Sequence, residues 1–475
     1  MIPYGWEVDV DVFYHVRMAD FFPEVCISKV FPWTQLSIWK DHFYDKELGF
    51  HAILHLIRQI PLFVNISENA PFNYINIIFT GVILLIYTRL IPVSSLLLKN
   101  SIPVLLLIIS PLFLLRINMI RPHVLSIILF ALTIHILLFV SPLKRKMIYI
   151  FIISWIYAVS YSSPQLIFIP IFSYCCAVLI TSRSKKRLTC LWLCPISFAG
   201  ILIAFLIHPQ FPNTYYGWYI PGVLVIKKIL GISKAQVVLG TELFAPSLKV
   251  IAQNSAVFFL VIAGVIFTVY KKLYNIKIFM LLTISSICAL GFLFSQRFIE
   301  YAVPSSVIFF VYTFDCFAGQ FFLNLKLNKA IKISVFFVAV FLCFFLLKYE
   351  FTILSSSSYF PCCSFAKWAQ KNIIPGTYIG HIRWGDFPRL FYPAPQYLYS
   401  MGLDPMFSYF VYPEKTEALE NFNQIRTPLS PKKLKEILET NLVFISNLDT
   451  GCAKYLIDNK AKVLYKGYDG WLLDL

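Results

Sequence analysis

Charged side chains with catalytic potential are concentrated near the start of a chain that is otherwise strongly apolar. They occur in two stretches, EVDVDVFYHVRMAD at 7–20 and WKDHFYDKELGFH at 39–51. Carboxylates grouped in this way can bind a divalent cation or take a proton from a reacting group. The candidate catalytic residues here are Asp11, Asp45 and Glu47, and the candidate substrate-binding residues are His15 and Arg17.

The first stretch has helical spacing. Asp11, Tyr14 and Arg17 follow one another at intervals of three residues, so one face of a short helix would present a carboxylate, a phenol and a guanidinium. The same pattern is also typical of a solvated helix lying at a membrane interface. The second stretch, 39–51, alternates acidic and apolar positions and predicts a second, amphipathic helix that lies on the surface.

Composition predicts a polytopic α-helical membrane protein. Of 475 residues, 58% are hydrophobic and 14% are charged, against about 25% charged in a soluble domain. About ten apolar runs approach the roughly 20 residues that a helix needs to cross hydrocarbon. These runs lie near Pro71–Leu90, Ser101–Leu115, Pro122–Val140, Met147–Ser162, Pro164–Thr181, Leu188–Ile207, Ile251–Tyr270, Ile278–Ser295, Tyr301–Phe322 and Ile333–Lys348.

The positions of the cations predict the orientation. Lysine and arginine clusters at 144–146, 183–187, 271–277 and 326–332 occupy every second loop, which is the pattern of cytoplasmic loops. The formal net charge of +17 then reflects topology and affinity for anionic headgroups. Because the cations are scattered and form no stripe, binding of nucleic acid is not predicted. We expect a multi-pass protein of the cytoplasmic (inner) membrane.

This orientation places the polar segments on one face and divides the chain into three units. They are a first exoplasmic loop at 1–70, a transmembrane domain at 71–350 with an exoplasmic loop at 208–250, and a soluble exoplasmic α/β domain at 351–475. The active site and the carboxyl-terminal domain would both lie on the periplasmic side. A polar amino-terminal segment on that side predicts one further helix before Met1, which gives about eleven spans.

Several polar residues lie in the predicted exoplasmic turns. Arg121 and His123 are either a helix cap with a snorkelling cation or contacts to phosphate. Arg297 stands at predicted membrane depth, where charges are costly, and an arginine there can clamp a phosphate bidentately or form a structural pair with Glu300. Asp315, deeper in the next span, is interpreted as a helix-packing residue.

Aromatic and cysteine side chains leave alternatives open. The four aromatic residues of the loop 208–250 can stack on a sugar or form an interfacial belt; they are Tyr215, Tyr216, Trp218 and Tyr219. Four cysteines on the exoplasmic side can pair in a disulfide; they are Cys26, Cys362, Cys363 and Cys452.

The carboxyl-terminal unit has a mixed pattern. Strands are predicted at Thr377–Ile382, Leu442–Ser446 and Lys462–Tyr465, with helices that begin at Ser430 and Asp449. Near its start, the sequence RWGDFP contains Trp384 and Asp386. These two are either acceptor-binding residues or a buried tryptophan and a loop-capping aspartate.

The motif Asp-x-x-Tyr-His-x-Arg at 11–17, followed by aromatic-proline segments at 21–23 and 31–34, resembles the catalytic subunit of oligosaccharyltransferase. That subunit and its relatives form part of the GT-C class of membrane glycosyltransferases. The resemblance implies many spans, active-site acids in the first exoplasmic loop and a soluble exoplasmic domain at the carboxyl end. It also implies that Asp11 lies at the catalytic centre and binds Mg²⁺ or Mn²⁺, which would neutralise a leaving phosphate.

The same resemblance assigns roles to four more residues. Glu242, in Gly-Thr-Glu-Leu, is similar to a glutamate that places acceptor and metal, although the spacing of the motif differs by one residue. Arg297 is similar to an arginine that holds the lipid-linked phosphate. Trp384 and Asp386 are similar to a tryptophan-aspartate signature that holds the acceptor, although the second tryptophan and the tyrosine-glycine are absent from the sequence.

The turn 116–123 departs from the family pattern. It reads RINMIRPH where the family carries a second acidic pair, which leaves open a metal-free mechanism with an aspartate as general base.

The predicted function is transfer of a sugar or oligosaccharide from a polyprenyl-phosphate or polyprenyl-diphosphate donor to a glycan, lipid or protein acceptor on the exoplasmic face. The alternatives are a transporter, or a non-catalytic scaffold, of envelope glycan or lipid precursors. The enzyme hypothesis requires Asp11 and Arg297 to meet over the outer leaflet.

Overall fold

The computed structural model describes residues 9–60, 72–182, 185–229, 231–233, 235–321, 359–424 and 426–475. Over these ranges the protein consists of packed apolar helices and, at the carboxyl end, a small five-stranded sheet. The predicted apolar run Ile333–Lys348 and the cation cluster at 326–332 lie outside the described residues.

The α-helices of the first loop are Asp11–Asp20, Phe22–Val25 and Leu48–Arg58. Those that follow up to residue 321 are Asn73–Leu90, Leu96–Ile108, Pro111–Ile117, His123–Phe139, Leu143–Ser160, Phe168–Thr181, Leu193–Leu206, Thr214–Tyr219, Val225–Ile229, Leu248–Gln253, Ala256–Tyr270, Ile276–Phe294 and Ile299–Phe321. Those of the last unit are Cys363–Asn372, Phe387–Phe391, Pro405–Tyr409, Pro413–Asn423, Pro431–Leu438 and Thr450–Asp458. Short 3₁₀ turns include Ile38–Lys40, Thr241–Leu243, Gln296–Phe298 and Trp384–Asp386.

Three helical segments in the described ranges are long and apolar enough to cross a membrane. They are Pro164–Thr181, Arg187–Leu206 and Ile276–Phe294. The pair Leu98–Ile108 and Pro111–Ile117, bent by 89°, adds a fourth if it is counted as one broken span. The mostly helical fold with a carboxyl-terminal sheet is as predicted, while the count of ten or eleven spans stays a prediction.

The bend of the broken pair is set by its sequence. Ser110 caps the second helix, because its hydroxyl oxygen accepts a hydrogen bond from the Phe113 N–H at 3.0 Å. Pro111 occupies the first helical position, where a missing N–H costs nothing. The Asn254 side chain accepts a further bond from the Leu112 N–H at 3.3 Å. This second helix ends at Ile117 and carries Arg116 into the protein interior, where the residue is 4% exposed.

The last unit contains five strands: β1 Tyr378–His381, β2 Leu398–Tyr399, β3 Leu442–Ser446, β4 Lys462–Lys466 and β5 Gly470–Asp474. They form one sheet with the order β2-β1-β3-β5-β4. β1 is parallel to β2 and β3, whereas β5 is antiparallel to β3 and β4. The three predicted strands are confirmed to within one or two residues, and β2 and β5 were missed.

The two helices predicted in this unit are also confirmed. Ser430 caps the helix Pro431–Leu438 by accepting from the Lys433 N–H at 3.3 Å, and Asp449 precedes the helix Thr450–Asp458. The disulfide left open by the sequence is absent within the described ranges, where each cysteine is free.

The prediction of a second acidic helix at 39–51 was wrong. Only a 3₁₀ turn at Ile38–Lys40 and the start of the helix Leu48–Arg58 are helical there. Backbone groups between them bond to side chains of the loop 208–250. The Asn213 amide donates to the Phe43 carbonyl at 2.9 Å, and the Gln210 amide oxygen accepts from the Asp45 N–H at 2.6 Å. These tertiary bonds replace the helical ladder.

The first loop is joined to the sheet of the last unit. Residues 33–36 run beside β2: Tyr399 donates to the Trp33 carbonyl at 2.8 Å, Gln35 donates to the Tyr399 carbonyl at 2.8 Å, and Leu36 donates to the Ser400 carbonyl at 2.6 Å. The Trp33 indole N–H also donates to the Pro395 carbonyl at 2.6 Å. The edge strand β2 is therefore covered by chain from the opposite end of the sequence.

Replacing Arg17 by methionine is expected to weaken this junction. Its guanidinium donates two hydrogen bonds to the Tyr392 carbonyl, one of them at 2.9 Å from Nε. Bonds from a charged donor contribute about 1.5–3 kcal/mol, so the free energy of unfolding should fall by about that amount. Arg58→Met is the matched control, since Arg58 pairs with Asp20 at the surface and should cost only about 0–1 kcal/mol. Equal losses in thermal unfolding would contradict the assignment.

Candidate active site

Four charged residues from four separate segments form one continuous chain of ion pairs. Arg121 Nη2 lies 2.9 Å from Asp11 Oδ2, and Arg121 Nη1 lies 3.0 Å from Glu242 Oε1. Arg297 Nη2 contacts the same Glu242 oxygen at 3.0 Å. Asp11 and Arg297 therefore meet through Arg121 and Glu242. The first loop, the turn after Ile117, the loop 208–250 and the turn at 296–298 all contribute to this centre.

Asp9 completes the arrangement. Arg121 donates from Nε and Nη2 to the two carboxylate oxygens of Asp9, a bidentate fork. Arg121 thus contacts three carboxylates at once. The sequence placed Arg121 at an exoplasmic turn but did not show that its partners would be Asp9 and Asp11, because they precede it by more than a hundred residues.

Local structure fixes each member. Asp11 is the first residue of its helix, where the positive end of the helix dipole favours a carboxylate. Glu242 lies in a 3₁₀ turn that is tied to the next predicted exoplasmic turn. The Ser295 hydroxyl donates to the Glu242 carbonyl at 3.1 Å, and the Gln296 amide donates to the Thr241 carbonyl at 3.2 Å. These bonds hold Glu242 beside Arg297.

The two carboxyls respond differently to this environment. Burial raises the pKa of Asp11 to about 7, because Arg121 only partly offsets it while Asp9 and Glu242 add to it. Burial opposes ionisation of Glu242 as well, but Arg121 and Arg297 together hold its pKa well below the usual range. Asp11 Oδ1 is buried without a hydrogen-bond partner among the described residues.

Glu300 does not pair with Arg297. It accepts from Arg116 Nε at 2.7 Å and from Arg116 Nη2, and both residues are buried. The structural Arg297–Glu300 pair that the sequence left open is therefore not formed. His123 lies behind this pair and donates from Nε2 to the Arg116 carbonyl at 2.7 Å. Phosphate contact by His123 finds no support in this geometry.

A second polar cluster lies beside the first. His51 Nδ1 lies 2.7 Å from Asp45 Oδ2, and His51 Nε2 lies 2.9 Å from His15 Nδ1. Glu47 completes a set of three ligand atoms, from His15, Glu47 and His51, that lie within 4.8 Å of one another. Two imidazoles and a carboxylate can hold a divalent metal ion, and a carboxylate such as Asp45 behind one imidazole is the usual orienting partner.

This second cluster connects to the candidate catalytic aspartate through one helix. His15 follows Asp11 by one helical turn, on the same face. Burial, then the neighbouring His51 and Arg121, hold the pKa of His15 well below its usual range. A neutral imidazole is the form that binds a metal ion.

Within the described ranges, the polar contacts of Arg17, Trp384 and Asp386 lie outside the ion-pair chain. Arg17 binds the Tyr392 carbonyl. Trp384 is half-buried and packs on an apolar cluster of the last unit. Asp386 is 1% exposed and lies 3.5 Å from Arg389, with one oxygen unpartnered among the described residues. Their roles in substrate binding stay predictions.

The aromatic residues of the loop 208–250 divide into two pairs. Tyr215 and Trp218 are exposed, as expected of an interfacial belt. Tyr216 and Tyr219 instead pack against Phe410 of the last unit, at ring-centroid distances of 6.0 and 6.2 Å.

The Asp386 carboxyl predicts a pH-dependent stability. Burial, opposed by Arg389, raises its pKa from 3.8 to about 7. Between these values the folded chain keeps a proton that the unfolded chain has lost, so the free energy of unfolding falls as pH rises, by about 1.4 kcal/mol per unit at most. The stability of the wild type relative to Asp386→Asn should therefore decrease from pH 5 to 7 and then level off. Parallel profiles would contradict this, and exposed Asp458→Asn is the control.

Comparisons with known proteins identify the fold. No family model and no curated protein matches the chain. Among solved structures, archaeal oligosaccharyltransferase AglB from Archaeoglobus fulgidus, in complex with an inhibitory peptide and a dolichol-phosphate, superposes with a TM-score of 0.62 at 11% identity. The match covers 99% of this chain and 70% of that chain.

Two further structures of the Archaeoglobus fulgidus oligosaccharyltransferase agree. The apo form gives a TM-score of 0.62 at 12% identity, over 98% of this chain and 70% of that one. A form tethered by a disulfide bond to an acceptor peptide with the NVT sequon gives 0.58 at 12% identity, over 99% and 70%. The resemblance to this GT-C class enzyme is therefore confirmed at the level of the fold.

Proposed function

We propose that this protein is an integral-membrane glycosyltransferase that takes a sugar or oligosaccharide from a polyprenyl-phosphate or polyprenyl-diphosphate donor. The acceptor would be a glycan, lipid or protein on the exoplasmic side of the cytoplasmic membrane. The observation that carries the proposal is the chain of ion pairs from Asp11 to Arg297, in a fold shared with an oligosaccharyltransferase. One of the matching structures contains dolichol-phosphate and another an acceptor peptide.

Asp11 would act as the general base. Its Oδ1 is buried and has no partner among the described residues, so it can accept a proton from the acceptor. A pKa of about 7 suits a base that works near neutral pH. As the acceptor attacks the anomeric carbon, the bond from that carbon to the phosphate oxygen breaks and the acceptor proton passes to Asp11. Asp45 and Glu47, in the neighbouring cluster with His15, would shape the acceptor side of the centre.

Arg297 would stabilise the departing phosphate. It uses Nη2 on Glu242, while its Nε is buried without a partner among the described residues. A guanidinium with a free donor, fixed by a carboxylate, is arranged to receive negative charge that develops during the reaction. Trp384 and Asp386 would contact the acceptor and Arg17 would hold the domain that carries them.

Two sets of side chains are candidate binding sites for the predicted divalent cation. At Asp11 and Glu242 the carboxylate oxygens that converge are already bound by Arg121, so this set does not fit a metal ion. The set that can hold one is His15, Glu47 and His51. Two imidazoles suit Mn²⁺ better than Mg²⁺, whose preferred ligands are oxygen atoms, so a Mn²⁺ requirement would point to that second cluster.

Replacing Arg297 by glutamine tests the donor site directly. The variant, purified in detergent, should bind dolichyl phosphate about tenfold or more weakly, because a hydrogen bond to a charged group contributes about 1.5–3 kcal/mol. The matched control is Arg426→Gln, an exposed arginine of the last unit. Unchanged affinity in Arg297→Gln would refute the assigned role, and absence of any dolichyl phosphate binding by the wild type would refute the proposed donor.

A further inference from the structure

We infer that Arg121 takes the place of the divalent cation that this fold implies at the carboxylate centre. The guanidinium holds Asp9, Asp11 and Glu242 together, so the centre is organised by a cation that belongs to the chain. The inference deepens the proposed function, on which it rests for the identity of the site.

The geometry supports the inference that Arg121 stands in place of a metal ion. The three carboxylates come from the start of the first helix and from the loop 208–250, and the atom group they share is the Arg121 guanidinium. It reaches Asp11 at 2.9 Å and Glu242 at 3.0 Å, and forks onto Asp9. Mg²⁺ would need carboxylate oxygens about 2.0–2.1 Å from its own centre. The space between these oxygens is filled by the guanidinium.

The balance of charges at the centre supports the same inference. Three carboxylates at one point would repel one another without a cation, and Arg121 and Arg297 supply two positive charges on them. A divalent ion added at Asp11 would face the Arg121 guanidinium at close range, where like charges are strongly unfavourable. The side chain of arginine is always protonated. Unlike a bound ion, it cannot be removed by a chelator.

Having a guanidinium in place of a metal ion changes which ligands the centre can bind. A metal ion offers open coordination positions to a phosphate. The N–H groups of Arg121 instead contact three carboxylates of the protein. Arg121 is thus a positioning residue. Contact with the donor phosphate is left to Arg297, whose Nε has no partner among the described residues.

The test measures binding of Mn²⁺ to the purified full chain in detergent. The two readouts are electron paramagnetic resonance and the shift in Tm. All forms carry His51→Gln, which removes the second candidate metal set. We expect no saturable Mn²⁺ binding in this background. Adding Arg121→Asp should create one Mn²⁺ site and raise Tm in the presence of Mn²⁺, and adding Asp11→Asn to that variant should abolish both effects. Arg121→Gln is the second variant, expected to behave in the same direction.

Two results of this experiment would overturn the inference about Arg121. Mn²⁺ binding in the His51→Gln background that disappears on Asp11→Asn or Glu242→Gln would overturn the inference, and this comparison needs no Arg121 variant to fold. Because Mn²⁺ binding is measured without donor or acceptor, it is independent of sugar transfer. Transfer that is lost on chelation and restored by Mn²⁺ in the same background would overturn the inference and leave the proposed function standing. Absence of transfer by the wild type, which keeps His51, would refute the proposed function and would leave the Mn²⁺ result unaffected.

Discussion

Asp11→Asn is expected to lower the rate of sugar transfer by about 100-fold or more, the range over which a positioned general base contributes. Asparagine keeps the shape and can still accept from Arg121, but it cannot take a proton from the acceptor. The Asp11 side chain is partly exposed, at 17%, and its ion pair with Arg121 is made through Oδ2. Loss of the fold is therefore not the expected cause of lost activity. The measurement is initial rate with a polyprenyl-diphosphate oligosaccharide donor, together with the Tm of the same preparation.

Asp41→Asn is the matched control for Asp11→Asn. It makes the same chemical change in the same loop, at a residue that is exposed and outside both polar clusters. Its rate should equal that of the wild type. An unchanged rate in Asp11→Asn would remove the catalytic assignment, and a Tm drop in Asp11→Asn without a drop in Asp41→Asn would show that the carboxylate is structural.

The second large effect is expected at the buried pair of Arg116 and Glu300. Their side chains are 5% and 0% exposed, and the pair links the broken helix to the helix Ile299–Phe321. Replacing Arg116 by methionine leaves the Glu300 carboxylate buried without its partner. Such losses destabilise proteins by about 3–5 kcal/mol. The measurement is thermal or denaturant unfolding in detergent.

A double variant separates loss of a partner from loss of packing. Arg116→Met combined with Glu300→Leu replaces the pair by apolar side chains, a change that is often neutral. The double variant should therefore recover most of the stability lost in the single one. The surface pair Lys433–Glu436 is the control, and Lys433→Met should cost less than about 1 kcal/mol. A double variant as unstable as Arg116→Met would contradict the ion-pair explanation.

The sequence predicted which residues share a face better than it predicted which residues touch. The alternation of cationic loops placed Asp11, Glu242 and Arg297 on one side, since sidedness follows from the order of spans. Contacts do not follow from order. Arg121 was left between two interpretations, and its role as the shared partner of three carboxylates became visible only in the folded chain.

The errors have the same origin. The acidic helix at 39–51 was predicted from local pattern, but Gln210 and Asn213 supply its backbone with partners from another loop. The Arg297–Glu300 pair, which the sequence left open because the two residues are close in the chain, is not formed, since Glu300 binds Arg116, 184 positions away. Strands β2 and β5 are short or end the chain, where periodicity gives little signal.

The pairing of residues 33–36 with β2 makes the two ends of the polypeptide interdependent. Trp33 and Pro395, which share a hydrogen bond, are 362 residues apart. A ribosome that has made the first loop must still make nearly the whole membrane portion before that loop can find its edge strand, and such distant closures are slow. Until then the backbone of residues 33–36 lacks these partners. The junction between the two ends is therefore expected to form late, after the carboxyl-terminal unit has been made.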